Sequence, residues 1–143
     1  MSRFLYEKSV SERGHLIIPF VFGTADSTDI YSYILLSALG HKGKFHQVKN
    51  PARVYSGHLD EILKIAKEHL ETFSDVVTDR DYFKLRYTYH EQLIIVYEEA
   101  GKFFYDHYPA TQLTNLAAPK IFNSEFECIS WIRAGLERSH TSS

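Results

Sequence analysis

The sequence has little that could join distant parts of the chain covalently. Among its 143 residues there is a single cysteine, Cys128, so an internal disulfide is excluded. A lone thiol is typical of a reducing compartment, and we therefore expect a cytoplasmic protein. No apolar run approaches the roughly 18 residues of a membrane-spanning helix. The stretch from Met1 to Lys8 also lacks the apolar core of a signal peptide. The sequence thus predicts a protein without a membrane partner.

Neither sign of charge dominates. Sixteen lysines and arginines stand against eighteen acids, giving a net charge of −2. Nucleic-acid-binding domains usually carry a basic excess, so nucleic acid is disfavoured as a partner. The distribution is uneven, however, because the segment between Asp29 and Asp60 has no acid and four bases. Those bases, which we call the basic loop, are Lys42, Lys44, Lys49 and Arg53.

Motifs that carry known chemistries are also missing. The pair Gly43-Lys44 invites comparison with a phosphate-binding P-loop, but Ala38 replaces the first glycine and Phe45 replaces the Ser or Thr. There is no nucleophile elbow and no glycine fingerprint for dinucleotides. Histidines, acids and the cysteine do not have metal-ligand spacing. We therefore expect no metal, no cofactor and no catalytic residue; whether the protein is an enzyme stays open, with a non-catalytic role preferred.

Hydrophobic patterns predict strands near both ends of the chain. Residues 3–22 have two apolar arms around a polar turn, which is typical of a hairpin. Three further runs, apolar or alternating, are separated by short turns at 82–89, 93–97 and 103–108. Short connections favour antiparallel pairing, so these runs predict a three-strand meander. Together they indicate a mainly antiparallel sheet of about five strands.

Three segments have helical features. Residues 57–73 place six apolar side chains on one helical stripe: Leu59, Ile62, Leu63, Ala66, Leu70 and Phe73. The apolar run between Ser27 and Gly40 is interpreted as a buried helix with those residues as its caps. Ser124 and Glu127 have the capping-box spacing that begins a helix. We predict a single α+β domain over residues 1–138, with about three helices on the sheet, and a disordered tail at 139–143.

Aromatic rings are concentrated in the predicted meander. Nine Tyr and Phe residues lie between positions 82 and 108. Cross-strand ring pairs stabilise sheets, but Tyr and Arg are also frequent at the centres of interfaces. We therefore expect a regulatory or interaction module that binds a protein partner or self-associates through an aromatic sheet face and the basic loop. The candidate binding residues are Lys42, Lys44, His46, Lys49, Arg53, Arg86, Tyr105 and His107.

Two alternatives stay open. A small enzyme or ligand-binding domain would need a polar pocket between the meander strands, in which histidine could act as acid or base. At least three of five polar groups would have to meet there: Arg86, His90, Tyr105, Asp106 and His107. The second alternative is binding of an anionic small molecule, or of nucleic acid, through residues 41–53.

Overall fold

The computed structural model describes residues 3–77 and 80–141. Within these ranges two antiparallel sheets and two α-helices are formed. The first sheet contains, in spatial order, Val10–Glu12 (β1), His15–Ala25 (β2), Thr28–Ser37 (β3) and Val48–Lys49 (β4). The second contains Leu85–Tyr89 (β5), Gln92–Glu99 (β6) and Lys102–Tyr108 (β7). The helices are Leu59–Phe73 (α1) and Glu125–Thr141 (α2).

The elements stack in four layers, in the order helix, sheet, sheet, helix. Alternate side chains of a strand point to opposite faces, so each sheet contributes to two apolar clusters. Leu16 and Ile18 of β2 pack with Ile95 of the second sheet, whereas Ile17 packs against α1. Ile94 of β6 faces α2. Because the central parts of β2, β3 and β6 are covered on both faces, each contains a continuous apolar run rather than an alternating pattern.

The segment between Ser27 and Gly40, predicted as a helix, is strand β3. This prediction was wrong because an apolar run buried on both faces has no period that distinguishes a strand from a helix. Asp26 and Ser27 both adopt positive φ, 52° and 65°, and form the tight turn between β2 and β3. Ser27 is therefore a turn residue and not a helix cap. The α+β class is confirmed, but with two sheets instead of one and two helices instead of about three.

Other predicted elements agree more closely with the structure. The helix at 57–73 is α1, with Ile62, Ala66 and Leu70 buried against the first sheet, and the meander is β5 to β7. The N-terminal hairpin is shorter than predicted, because Tyr6–Lys8 forms a 3₁₀ turn and β1 begins only at Val10. Helix α2 extends to Thr141, so residues 139–141 of the predicted tail are helical, and residues 142–143 lie outside the described ranges.

Neither α1 nor α2, nor any other helix within residues 3–77 and 80–141, has the length and apolar character needed to cross a membrane.

Candidate functional site

A cleft of about 580 Å³ opens where residues of both sheets come together. On the side of the first sheet it is lined by the end of β3 and the following loop, at 36–41 and 46–47. On the other side it is lined by positions 82–83, 97, 99, 106 and 108, and by the loop at 113–115. We call it the intersheet cleft. It brings together side chains from six separate stretches of sequence, which no local motif could have indicated.

One wall of the cleft is aromatic. Tyr97 and Phe104 are cross-strand partners on β6 and β7, and their rings stack with centroids 5.6 Å apart. The ring of Tyr82 also packs against Tyr97, with centroids 4.9 Å apart. Phe104 supports this wall but is not part of the cleft lining, whereas Tyr108 lines the cleft and is almost fully buried. Neighbouring rings at these distances are stabilised by offset packing, which favours this arrangement of the wall.

Asp106 is the acidic group of the cleft. Its Oδ2 accepts a hydrogen bond from the Tyr82 hydroxyl and its Oδ1 accepts one from the Asn115 amide, both at 2.9 Å. Among the described residues, no lysine or arginine lies within ion-pair distance of this carboxylate. Burial raises the pKa of Asp106, although the two hydrogen bonds partly oppose that rise. Burial and the nearby Asp106 also raise the pKa of Tyr82 and of Tyr108.

Two histidines lie on the opposite side of the cleft. Nδ1 of His46 accepts a hydrogen bond from the backbone N–H of Ser37 at 3.1 Å. The neutral ring therefore carries its proton on Nε2 and can donate it to a ligand. The His41 ring stands edge-on to His46, with centroids 5.0 Å apart. Burial, together with the neighbouring His41 and His15, lowers the pKa of His46, so this imidazole is neutral at pH 7.

Of the eight binding residues predicted from sequence, His46 lines the intersheet cleft; the other seven, all within the described part of the chain, do not. The four bases of the basic loop do not join His46 in the cleft. Lys42 is exposed on a 3₁₀ turn, Lys49 is exposed on β4 and Arg53 is exposed beyond that strand. Lys44 lies over the rings of Phe45 and Phe73, with its Nζ 5.1 Å and 6.0 Å from their centroids.

Arg86 has a structural role. Its guanidinium donates hydrogen bonds to the Ser9 hydroxyl at 3.2 Å, to the Ser9 carbonyl at 3.1 Å and to the Phe83 carbonyl at 2.8 Å. The two bonds to Ser9 tie the meander to the segment that precedes β1. With these three bonds the Arg86 guanidinium is engaged within the fold.

The polar pocket predicted between the meander strands is not formed as expected. Tyr105 and His107 flank Asp106 in β7 and therefore point to the opposite face of the sheet. The Tyr105 hydroxyl accepts a hydrogen bond from the Ala118 N–H at 2.8 Å, and Nε2 of His107 pairs with Oε1 of Gln92 at 2.7 Å. Of the five groups proposed from sequence, only Asp106 lines the intersheet cleft.

A second, smaller cavity of about 430 Å³ lies beside the first and shares Tyr97, Asp106 and Asn115 with it. Tyr105 also lines this cavity. Two of the five predicted groups thus meet there, which is fewer than the three required.

Tyr82, Tyr97 and Asn115 were not predicted to be site residues. The two tyrosines belong to the aromatic concentration between positions 82 and 108, but nothing in the sequence shows which of those rings face a cavity. Comparisons with protein families, with curated proteins and with solved structures find no match for this chain. The function must therefore be argued from the geometry of the cleft.

Proposed function

We propose that this protein is a small-molecule-binding domain whose ligand occupies the intersheet cleft. The observation that carries the proposal is the convergence of Asp106, His46 and Tyr97 around a cavity of about 580 Å³. Ligand sites in proteins typically have volumes of about 300–1,000 Å³ and combine apolar walls with a few placed polar groups. The cleft has both features.

The polar groups of the cleft are also difficult to explain as contributions to stability. A partly buried carboxylate without a cationic partner contributes little to the stability of the folded state, and the burial it has disfavours the charged form of Asp106. Residues that destabilise a fold while facing a cavity are concentrated at functional sites. Asp106 therefore supports a binding role better than a structural one.

The proposal is tested by recording amide NMR spectra of the ¹⁵N-labelled protein during titration with mixtures of small polar fragments. We expect some fragments to shift amide signals of residues 37–41 and 113–115, which border the cleft on both sides. Thr114 lines the cleft and is exposed, so Thr114→Trp should block it and abolish those shifts. Gln112→Trp, at an exposed position in the same loop, is the matched control and should leave them unchanged. Fragments that shift only signals elsewhere would refute the proposal.

A second candidate is the protein-interaction module that the sequence patterns favour. It is supported by the exposed ring pair of Phe22 and Tyr55, whose centroids lie 4.8 Å apart and whose exposures are 63% and 47%. Exposed aromatic side chains are frequent at interfaces. Sedimentation of the wild type and of Phe22→Ser over a range of concentrations tests self-association. A concentration-dependent dimer that Phe22→Ser abolishes would support this candidate, and a monomer at every concentration would exclude self-association.

A further inference from the structure

We propose that the ligand of the intersheet cleft carries a protonated amine, which Asp106 binds as its counter-ion. This inference rests on the proposed binding function and adds the chemical class of the ligand. Three features of the cleft support it: the charges of its lining, the hydrogen-bonding capacity left on Asp106 and the aromatic wall.

The charges that line the cleft are acidic. Asp106 and Glu99 both contribute to the lining, and, as far as the described residues go, no lysine or arginine does. His46 is neutral at pH 7 because burial lowers its pKa. Arg80 lines a neighbouring cavity that shares Tyr97 and Glu99, and its guanidinium donates a hydrogen bond to the Glu98 carbonyl. An anionic ligand would be repelled by the two carboxylates, whereas a cationic ligand would be attracted.

Asp106 retains the capacity to bind an ammonium group. Each carboxylate oxygen accepts one hydrogen bond within the protein, from Tyr82 or from Asn115. An ionised carboxylate can accept about four, so roughly half of its capacity is unused by these two bonds. An ammonium group supplies three donors and a positive charge, and charge-assisted bonds of this kind are about twice as strong as neutral ones.

The aromatic wall favours the same ligand class. Tyr82 and Tyr97 line the cleft together with Asp106, and the Tyr82 hydroxyl lies 2.9 Å from the carboxylate, so a cation bound to Asp106 would be next to aromatic side chains. The negative face of an aromatic ring attracts cations, and this attraction increases when the site is partly dehydrated. A neutral ligand of the same size would gain the apolar contacts but neither the ion pair nor the cation–π attraction.

The inference is tested with three fragments of nearly equal size that differ in charge: benzylamine, which is cationic at pH 7, benzyl alcohol and benzoate. Each is titrated into the ¹⁵N-labelled wild type at low salt, and the shifts of the cleft amides give its affinity. We expect benzylamine to bind about tenfold more tightly than benzyl alcohol, as one close charge pair in a partly dehydrated site predicts. We expect benzoate to bind more weakly than either.

The Asp106→Asn variant should reduce the affinity for benzylamine to that for benzyl alcohol. Asp29→Asn, at an exposed position where β3 begins, is the matched control and should retain the preference. Because the three-fragment comparison uses the wild type, the inference remains falsifiable even where Asp106→Asn folds poorly.

The possible outcomes distinguish this inference from the proposed function. Binding of benzyl alcohol or benzoate in the cleft at least as tightly as benzylamine would overturn the ammonium assignment and leave the binding function in place. An undiminished preference for benzylamine in folded Asp106→Asn would overturn the role of Asp106. Absence of cleft shifts with the three probes and with every fragment of the earlier mixtures would overturn both proposals.

Discussion

Gly14 and Val76 are in such close contact that no side chain can be placed between them. A Cβ atom on Gly14 would lie 2.2 Å from Cγ1 of Val76. Gly14 belongs to the turn between β1 and β2 and has a φ of +75°, while Val76 follows α1. The Ser74 hydroxyl donates a hydrogen bond to the Arg13 carbonyl at 2.8 Å in the same region. The hairpin turn and the segment after α1 are therefore held together by a contact that only glycine permits.

Substitution of Gly14 by alanine should therefore destabilise the fold more than the same substitution at Gly101. Gly101 also has a positive φ, +78°, but a Cβ atom added there would meet no other atom within 4 Å. Gly101→Ala should cost only the backbone strain of about 1–2 kcal/mol, and Gly14→Ala should add an overpacking cost of about 1–3 kcal/mol. Urea unfolding of both variants measures the difference. Equal losses would contradict the contact, and adding Val76→Ala to Gly14→Ala should recover part of the lost stability.

The comparison of β3 with α1 shows which parts of the fold the sequence could predict. Helix α1 is exposed on one side, so Ile62, Ala66 and Leu70 are separated by polar residues and the helical period is visible. Strand β3 is covered by the second sheet on one face and by α1 on the other, so positions 33–36 form an apolar run with no alternating polar residues. Whether this segment forms a strand or a helix therefore depends on tertiary packing, and the pattern of the segment alone does not show that packing.

The candidate site was less predictable than the fold for a similar reason. Asp106 was considered for a pocket, but with Tyr105 and His107, which point to the other face of β7. Its actual neighbours, Tyr82 and Asn115, lie 24 and 9 residues away in the sequence and are brought to it by the meander and the loop that follows it. Only the arrangement of the two sheets creates the cleft, and that arrangement was not predicted.

The N-terminus of α2 offers a test of the capping interaction predicted from sequence. The Ser124 hydroxyl accepts a hydrogen bond from the Glu127 N–H at 3.1 Å, as the capping box requires. The Glu127 carboxylate accepts one from the Asn123 N–H at 3.2 Å, one residue earlier than the box expects. Ser124→Ala should reduce the free energy of unfolding by about 1 kcal/mol. Ser130→Ala, at an exposed position inside the helix, is the control and should be neutral or slightly stabilising in urea unfolding.

Cys128 should be unreactive in the folded protein. Its side chain is fully buried beneath α2, and burial raises the pKa of the thiol to about 11. At pH 8 the thiolate, which is the nucleophilic form, is therefore about a thousandfold less abundant than the thiol. We expect the thiol reagent DTNB to react with the protein rapidly in urea but very slowly in native buffer. Rapid reaction under native conditions would show that the site is accessible and would reopen a nucleophilic role for Cys128.

The stability of the wild type relative to Asp106→Asn should change with pH. Burial raises the pKa of Asp106 in the folded state above 3.8, its ordinary value. The folded protein therefore holds this proton to a higher pH than the unfolded chain does. Protonated Asp106 is thus compatible with the folded state at low pH, and the free energy of unfolding falls as the pH rises from about 3.8 through the raised pKa. Each unit by which the pKa is raised corresponds to about 1.4 kcal/mol.

Urea unfolding of both proteins at pH 4 and pH 7 measures this effect, because the other carboxyl groups are common to the two proteins and cancel in the difference. We expect the wild type to lose stability relative to Asp106→Asn between pH 4 and pH 7, because the raised pKa makes ionisation of Asp106 unfavourable in the folded state. Asp29→Asn, whose carboxylate is exposed, should show no such change. A relative gain of the wild type with rising pH would mean that hydrogen bonds from Tyr82 and Asn115 outweigh the desolvation of Asp106. Its carboxylate would then be stable without a bound cation, which would remove one support for the ammonium ligand.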